Sequence, residues 1–307
     1  MIYDKQIIAY YTTKMVANWN EYNFSKSPSK PKYFMRKCLN SALKNYLKKE
    51  KDFLPFSKAD FYMAHAKEYV DAFFGGEKLL CESNGLQWSE QFASTICYTN
   101  ASLYHAIRAS IFAPEKIHVS PTCGFHHAQY NQGFGYCTFS GQVIASLKIY
   151  NQFQLSGCYI DLDGHFGNSI EDSRKYCKDL NEAIPLGFNI NPRGKHAMYI
   201  KNLINELSKL EIALLENKIH YVVYCHGADS HEDDDLGFQL TTEEWLKCTT
   251  LVCEMIGRVN KKLNRNIPFT YCLFGGYRED DYNKVIDLHY QDLELCFNLL
   301  TQSNNSK

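Results

Sequence analysis

The chain has 307 residues, 45% of them hydrophobic, with 33 Lys plus Arg against 34 Asp plus Glu, for a formal net charge of −1. That length and apolar content suffice for a large buried core. The near-neutral balance supplies no basic field for nucleic-acid binding and no like-charged tail.

Taken in chain order, residues 6–11 predict a strand. The polar, Ser/Pro/Lys-rich stretch 22–32 predicts a loop rather than a domain boundary. Residues 32–47 predict a helix with Met35, Cys38, Leu39, Ala42, Leu43 and Tyr46 on one face. A short strand is expected at 78–81, a helix at 89–112, a strand at 116–120 ending at Pro121, and a helix at 142–150. A strand at 157–163, a helix at 197–215 and a strand at 220–226 follow. The helix 241–262 is entered through Thr241 and Glu244, which fit a capping box. A strand at 268–274 and a helix at 281–300 close the pattern. Near-continuous apolar strands between helices predict an α/β fold, a single domain over 1–307 with a parallel sheet covered by helices on both faces.

No apolar run approaches a membrane span. Asp4 and Lys5 stand where a signal peptide needs its apolar core, so no membrane partner and a cytoplasmic location are expected. The twelve cysteines form no Cys-x-x-Cys pair. Several, such as Cys158, Cys225 and Cys272, lie inside apolar strands, where a thiol behaves as a small hydrophobe. Free thiols in a reducing compartment follow.

In an open parallel sheet the ligand site lies beyond the carboxyl ends of the strands. Four polar clusters fall there. Strand 116–120 is followed by His126-His127, strand 157–163 by Asp161-Leu-Asp163-Gly-His165-Phe-Gly-Asn168, strand 220–226 by an acidic run from Asp229 to Asp235, and strand 268–274 by Gly275-Gly276-Tyr277. Taken singly, a His pair is more often a surface pair and an acidic run a solvated loop. Their shared position points to a metal-dependent hydrolytic site. Asp163, His165 and one Asp of the acidic loop would give three protein ligands with positions left open for water and substrate. A His pair can supply acid–base catalysis, and a Tyr after a glycine turn can donate to an oxyanion.

These residues, in this order, resemble the histone deacetylase superfamily, including bacterial deacetylases and acetylpolyamine amidohydrolases. Further matches are Ser27-Pro-Ser-Lys-Pro, His65 to Tyr69, Gly135-Tyr136-Cys137, and Asp229 through Asp234-Asp235-Leu-Gly. The resemblance implies an arginase/deacetylase-like fold and removal of an acyl group from a lysine side chain of a protein or peptide, or from a small acylated amine. It implies zinc at Asp163, His165 and Asp234, with Asp233 and Asp235 as rivals for the third place; ferrous iron suits the same donors. It makes His127 the general base oriented by Asn168, and His126 with Asp161 its electrostatic partner. Tyr277 becomes the oxyanion donor, and Gly135, Tyr136 and Gly275 border the substrate. A structural potassium ion near Asp161, Asp163 and His165 is implied as well.

The sequence also departs from the family pattern. Tyr136 stands for the usual Phe, Phe166 for a second His and Asp235 for a Pro. The stretch 170–187 is short where the family carries one wall of the substrate slot. The acidic residue that grips substrate backbone in relatives has no clear match, Glu82 being a weak candidate. Three other functions fit the sequence less well. A ureohydrolase needs an Asp two places after His165, where Gly167 stands. An acetylpolyamine enzyme usually carries a long inserted loop, which is missing. An inactive binding module would not keep the ligands, both His and Tyr277.

Overall fold

The structure is a computed structural model that describes residues 2–18 and 24–302. Strand β1 (Ile7–Tyr10) is followed by helix α1 (Lys30–Leu39). Residues 22 and 23 of the expected loop lie outside the described residues; Ser27–Ser29 form a 3-10 turn, and the loop's last three residues, 30–32, are already the first turn of α1. The helix expected over 32–47 stops early. Asn40 caps α1, and the Ser41 hydroxyl accepts the Leu43 N–H to start a separate 3-10 turn at Ala42–Asn45. Strand β2 (Leu47–Glu50), not foreseen from sequence, comes next.

Three short helices follow, α2 (Lys58–Phe61), α3 (Lys67–Gly75) and α4 (Lys78–Cys81). The last is helical where a strand was expected, and Cys81 is its only buried residue. Helix α5 (Glu90–Phe112) opens on Ser89, whose side chain accepts the Phe92 N–H. Then come β3 (Ile117–Ser120), α6 (Gly141–Phe153), β4 (Gly157–Asp161), α7 (Ser169–Ser173), α8 (Leu180–Ala183) and β5 (Asn189–Ile190). Helix α9 (His196–Leu215), β6 (Tyr221–His226), α10 (Thr242–Leu263), β7 (Phe269–Leu273) and α11 (Tyr282–Thr301) complete the order. The capping box of Thr241 and Glu244 forms at the start of α10 as the spacing predicts.

The seven strands make one sheet in the order β2-β1-β3-β7-β6-β4-β5, parallel throughout. Side chains alternate between its faces. Cys158 and Ile160 of β4 and Val222 and Tyr224 of β6 pack with α1, α9, α10 and α11 on one face. Tyr159, Tyr221, Val223 and Cys225 pack with α5 and α6 on the other. Each such fully buried apolar side chain contributes roughly 1.5–3 kcal/mol relative to exposure. Burial on both faces is why these strands read as continuous apolar runs. The order also places β3, β7, β6 and β4 side by side. The four polar clusters leave the carboxyl ends of those four adjacent strands.

Candidate active site

Strand β4 ends at Asp161, two residues short of the expected boundary. There the Asp163 N–H donates to Asp161 Oδ1 (3.2 Å) and turns the chain. The turn brings His165 back on Asp163: the His165 N–H and Nδ1 lie 3.0 and 3.2 Å from Asp163 Oδ1. From the end of β6, a 3-10 turn at Ala228–Ser230 aims Asp229 at the same point, with its Oδ2 2.9 Å from His165 Nδ1. Ligand atoms of Asp163, His165 and Asp229 all lie within 4.8 Å of one another.

The third member is therefore Asp229, and the expectation of Asp234 is corrected. The Asp234 carboxylate is taken up by two backbone donors, the Tyr277 N–H (2.7 Å) and the Leu236 N–H (3.1 Å). Its rivals fare no better as ligands. Asp233 pairs with Arg278, and Asp235 accepts the Glu279 N–H. A local signal for Asp229 was present: it is the first acid beyond a fully buried strand, reached through two small residues, Gly227 and Ala228.

The electrostatics of the three residues suit a divalent cation. Burial and the neighbouring Asp163 carboxylate push Asp229 up to about 8. Hydrogen bonds to Asp163 and Asp229 raise His165 to about 10. Two buried carboxylates converging on one imidazole repel each other unless positive charge lies between them. Their oxygen and nitrogen donors match what zinc or ferrous iron accepts. Close backbone approach is required here. A side chain at Gly275 would meet Asp229 Cγ at 2.5 Å and Asp163 Oδ2 at 2.7 Å, while the Gly275 N–H donates to Asp163 Oδ2 (2.8 Å).

The two histidines of the loop after β3 have different surroundings. His126 is buried and holds Asp161 Oδ2 through Nδ1 (3.0 Å); its Nε2 is 3.6 Å from Asp163 Oδ1. Burial opposes its cation, but Asp163 and Asp161 outweigh that, and His126 is raised to about 9. His127 is lowered to about 4 by burial and by the positive charge of His126. A chain of hydrogen bonds fixes its tautomer. Asp172 only accepts, so Asn168 gives it Nδ2–H (2.5 Å) and turns Oδ1 toward His127 Nδ1 (2.8 Å). The proton of neutral His127 thus sits on Nδ1 and leaves Nε2 as a base. Asp172 was not foreseen from sequence.

Gly135 passes under His127 with φ +52°, and a Cβ there would lie 2.7 Å from the imidazole Cδ2. Tyr136 and Tyr277 meet with ring centroids 5.5 Å apart, and Phe24 stacks near both, at 6.2 and 6.1 Å. Tyr277, Tyr136 and Gly275 line a cavity of about 10 Å³ together with His126 and Asp163. The turn under Tyr277 is held by fully buried Lys30, which donates Nζ to the carbonyls of Phe274 (2.5 Å) and Gly275 (2.9 Å). Glu82 accepts the Trp88 N–H (3.1 Å).

A family profile described as histone deacetylase domain matches residues 26–181. The chain belongs to this family. The matched stretch carries His126, His127, Asp161, Asp163, His165 and Asn168; Asp229 and Tyr277 lie beyond it and join through the fold. Among solved structures, this deacetylase-family chain is similar to the HDA15 HD domain, with TM-score 0.73 and 13% identity over 97% of this chain and 91% of that one. It is also similar to an acetylpolyamine aminohydrolase from Burkholderia pseudomallei, with TM-score 0.68 and 15% identity over 96% and 98% of the two chains. At such identities the likeness speaks to the fold. No curated protein sequence matches. No helix among the described residues is long and apolar enough to cross a membrane.

Proposed function

We propose that this single catalytic domain is a zinc-dependent deacylase that hydrolyses the amide of an acylated lysine side chain. The observation that carries the reading is the convergence of Asp163, His165 and Asp229 beside His127, whose Nε2 is free to act as a base. A divalent ion held by those three residues would supply Lewis-acid activation of water and of the amide carbonyl. Ferrous iron suits the same donors, and the potassium ion expected near Asp161 remains part of the proposal.

His127 Nε2 takes a proton from the attacking water and returns it to the departing amine. Asn168 and Asp172 keep its other nitrogen protonated throughout. His126, paired with Asp161, places positive charge next to His127 and so keeps it unprotonated until it acts. The Tyr277 hydroxyl donates to the amide oxygen as negative charge collects there; Asp234 and Lys30 hold the backbone on which it stands. Gly135, Tyr136 and Gly275 border the alkyl stem of the substrate. All twelve thiols are free, which supports a reducing, cytoplasmic setting.

A small acylated polyamine is the second reading. It is favoured by the exposed acids Glu232, Asp233, Asp235, Glu279 and Asp280 around the Tyr277 loop, which attract cationic substrates. The experiment that separates the two is hydrolysis of an acetyl-lysine peptide beside acetylputrescine by zinc-loaded protein, with and without a hydroxamate. Hydroxamate-sensitive cleavage of the peptide is expected. Cleavage of acetylputrescine alone would select the polyamine reading, and turnover of neither would contradict both.

A further inference from the structure

The candidate centre opens to one side more than the other. The cavity toward Tyr136 and Tyr277 is about 10 Å³. A second cavity beside Asp163, of about 210 Å³, is lined by Asp163, His165, Phe166, Asn191, Arg193 and Tyr199, among others. A further groove of about 340 Å³ shares Phe166, Asn191, Pro192 and Arg193 with it and runs along β5. The wide side exists because the chain after β5 is short. Only residues 191–195 separate that strand from α9.

Arg193 is the cation of this opening. Its guanidinium carbon lies 5.0 Å from the centre of the Phe166 ring, and Phe166 directly follows His165. The backbone beneath is fixed, since the Arg193 carbonyl accepts Asn202 Nδ2–H (2.7 Å). Like Arg36, Arg108 and Arg265, and unlike Arg174, Arg258 and Arg278, Arg193 has no carboxylate partner among the described residues; of these unpaired arginines it is the one that lines the opening. Glu206, the acid lining the outer groove, pairs with Lys209. A second, independent sign of a missing ligand is Tyr199, which lines the inner cavity. It is 1% exposed, and its hydroxyl has no hydrogen-bond partner.

Resting on the deacylase reading, we propose that this opening is a subsite for a carboxylate carried by the substrate close to the scissile amide, held by Arg193. A guanidinium laid on an aromatic face keeps its N–H fork in plane and free for a bidentate carboxylate. The one acid that lines the inner cavity, Asp163, belongs to the candidate metal cluster, so the rim at Arg193 is where negative charge is selected. The carboxylate has two sources: the end of a dicarboxylic acyl chain on the lysine, or an acidic residue next to the acylated lysine.

The test measures kcat/KM on two substrate pairs with zinc-loaded wild type and Arg193→Glu. One pair is glutaryl-lysine against pentanoyl-lysine in a neutral peptide; the other is acetyl-lysine flanked by Glu against Gln. The expected result is a tenfold or larger preference for the carboxylate in one pair, lost or inverted in Arg193→Glu. Which pair shows it identifies the source. Equal rates within each pair, or a preference that survives Arg193→Glu, would overturn the subsite. Should no acyl-lysine be hydrolysed, the deacylase reading fails by itself, and calorimetric binding of the same peptides decides the subsite. Carboxylate-selective binding that needs Arg193 supports it, and equal binding overturns it.

Discussion

Two buried histidine–aspartate pairs serve opposite ends in this molecule. His126 and Asp161 meet at 3.0 Å, and His226 and Asp292 at 2.9 Å, all of them nearly or fully inaccessible. Around the second pair every neighbour closes it off. Trp245 stacks on His226 at 3.7 Å, Tyr271 donates to Asp292 (3.0 Å), and Thr249 donates to the other carboxylate oxygen. The Trp245 indole N–H in turn reaches the Gly227 carbonyl and Ser230 Oγ, both at 3.1 Å, and so braces the turn that carries Asp229. Around the first pair stand another imidazole, two more carboxylates and a cavity. The motif alone does not make a reactive centre. In the proposed mechanism, crowded charge and an adjoining cavity set the first pair to work, while the sealed surround makes the second a strut.

The largest expected effect lies on the reactive side. His127→Ala removes the base but none of the three ligands. Turnover on an acetyl-lysine peptide should fall by about 10²–10⁴-fold, with zinc content by elemental analysis near the wild-type value. A variant that kept wild-type turnover would break the assignment of reactive and sealed pairs.

On the sealed side, Asp292→Ala leaves buried His226 without its carboxylate, with only the Tyr224 hydroxyl 2.7 Å from Nδ1. Losing one member of a buried pair costs about 3–5 kcal/mol, read from denaturant unfolding. A loss below about 1 kcal/mol would show that the pair is no strut.

A smaller effect sharpens the contrast. His65 is buried with no carboxylate beside it: Nδ1 is 2.8 Å from the Gln129 carbonyl, and Nε2 accepts the Ser140 N–H (2.9 Å). The Ser140 bond requires an unprotonated Nε2 and hence the neutral ring, and burial lowers it from 6.5 to about 4. The unfolded chain therefore takes up a proton that the folded chain refuses between these values. The stabilisation is whole above pH 6.5 and lost as pH falls toward 4, by about 3 kcal/mol in all. Comparing wild type with His65→Asn across this window isolates the effect; an unchanged difference would contradict it.

Much of this was legible in the sequence for a physical reason. β3, β4, β6 and β7 are buried on both faces, so their apolar runs announce them, and the sheet rule then locates the polar clusters. The edges were not legible. β2, Leu-Lys-Lys-Glu, is an edge strand with exposed lysines, and β5 has two residues, so neither writes a pattern. The run 32–47 looked like one helix because its apolar spacing survives the break at Asn40–Ser41. Within the candidate site, Asp163, His165 and the tandem histidines could be picked out because their spacing is local, and the fold brings them together. The sequence reading placed the third acid at Asp234 because it lies five residues after Asp229; both are buried, and only the fold shows that Asp229 is the one turned toward Asp163 and His165.

The measurement that bears most directly on the centre is zinc titration calorimetry on Asp229→Asn and Asp234→Asn beside wild type. With Asp163, His165 and Asp229 as ligands, wild type and Asp234→Asn should each bind about one zinc per chain with similar affinity, and Asp229→Asn should lose binding by at least about 100-fold. Tight binding retained by Asp229→Asn and lost by Asp234→Asn would contradict the account.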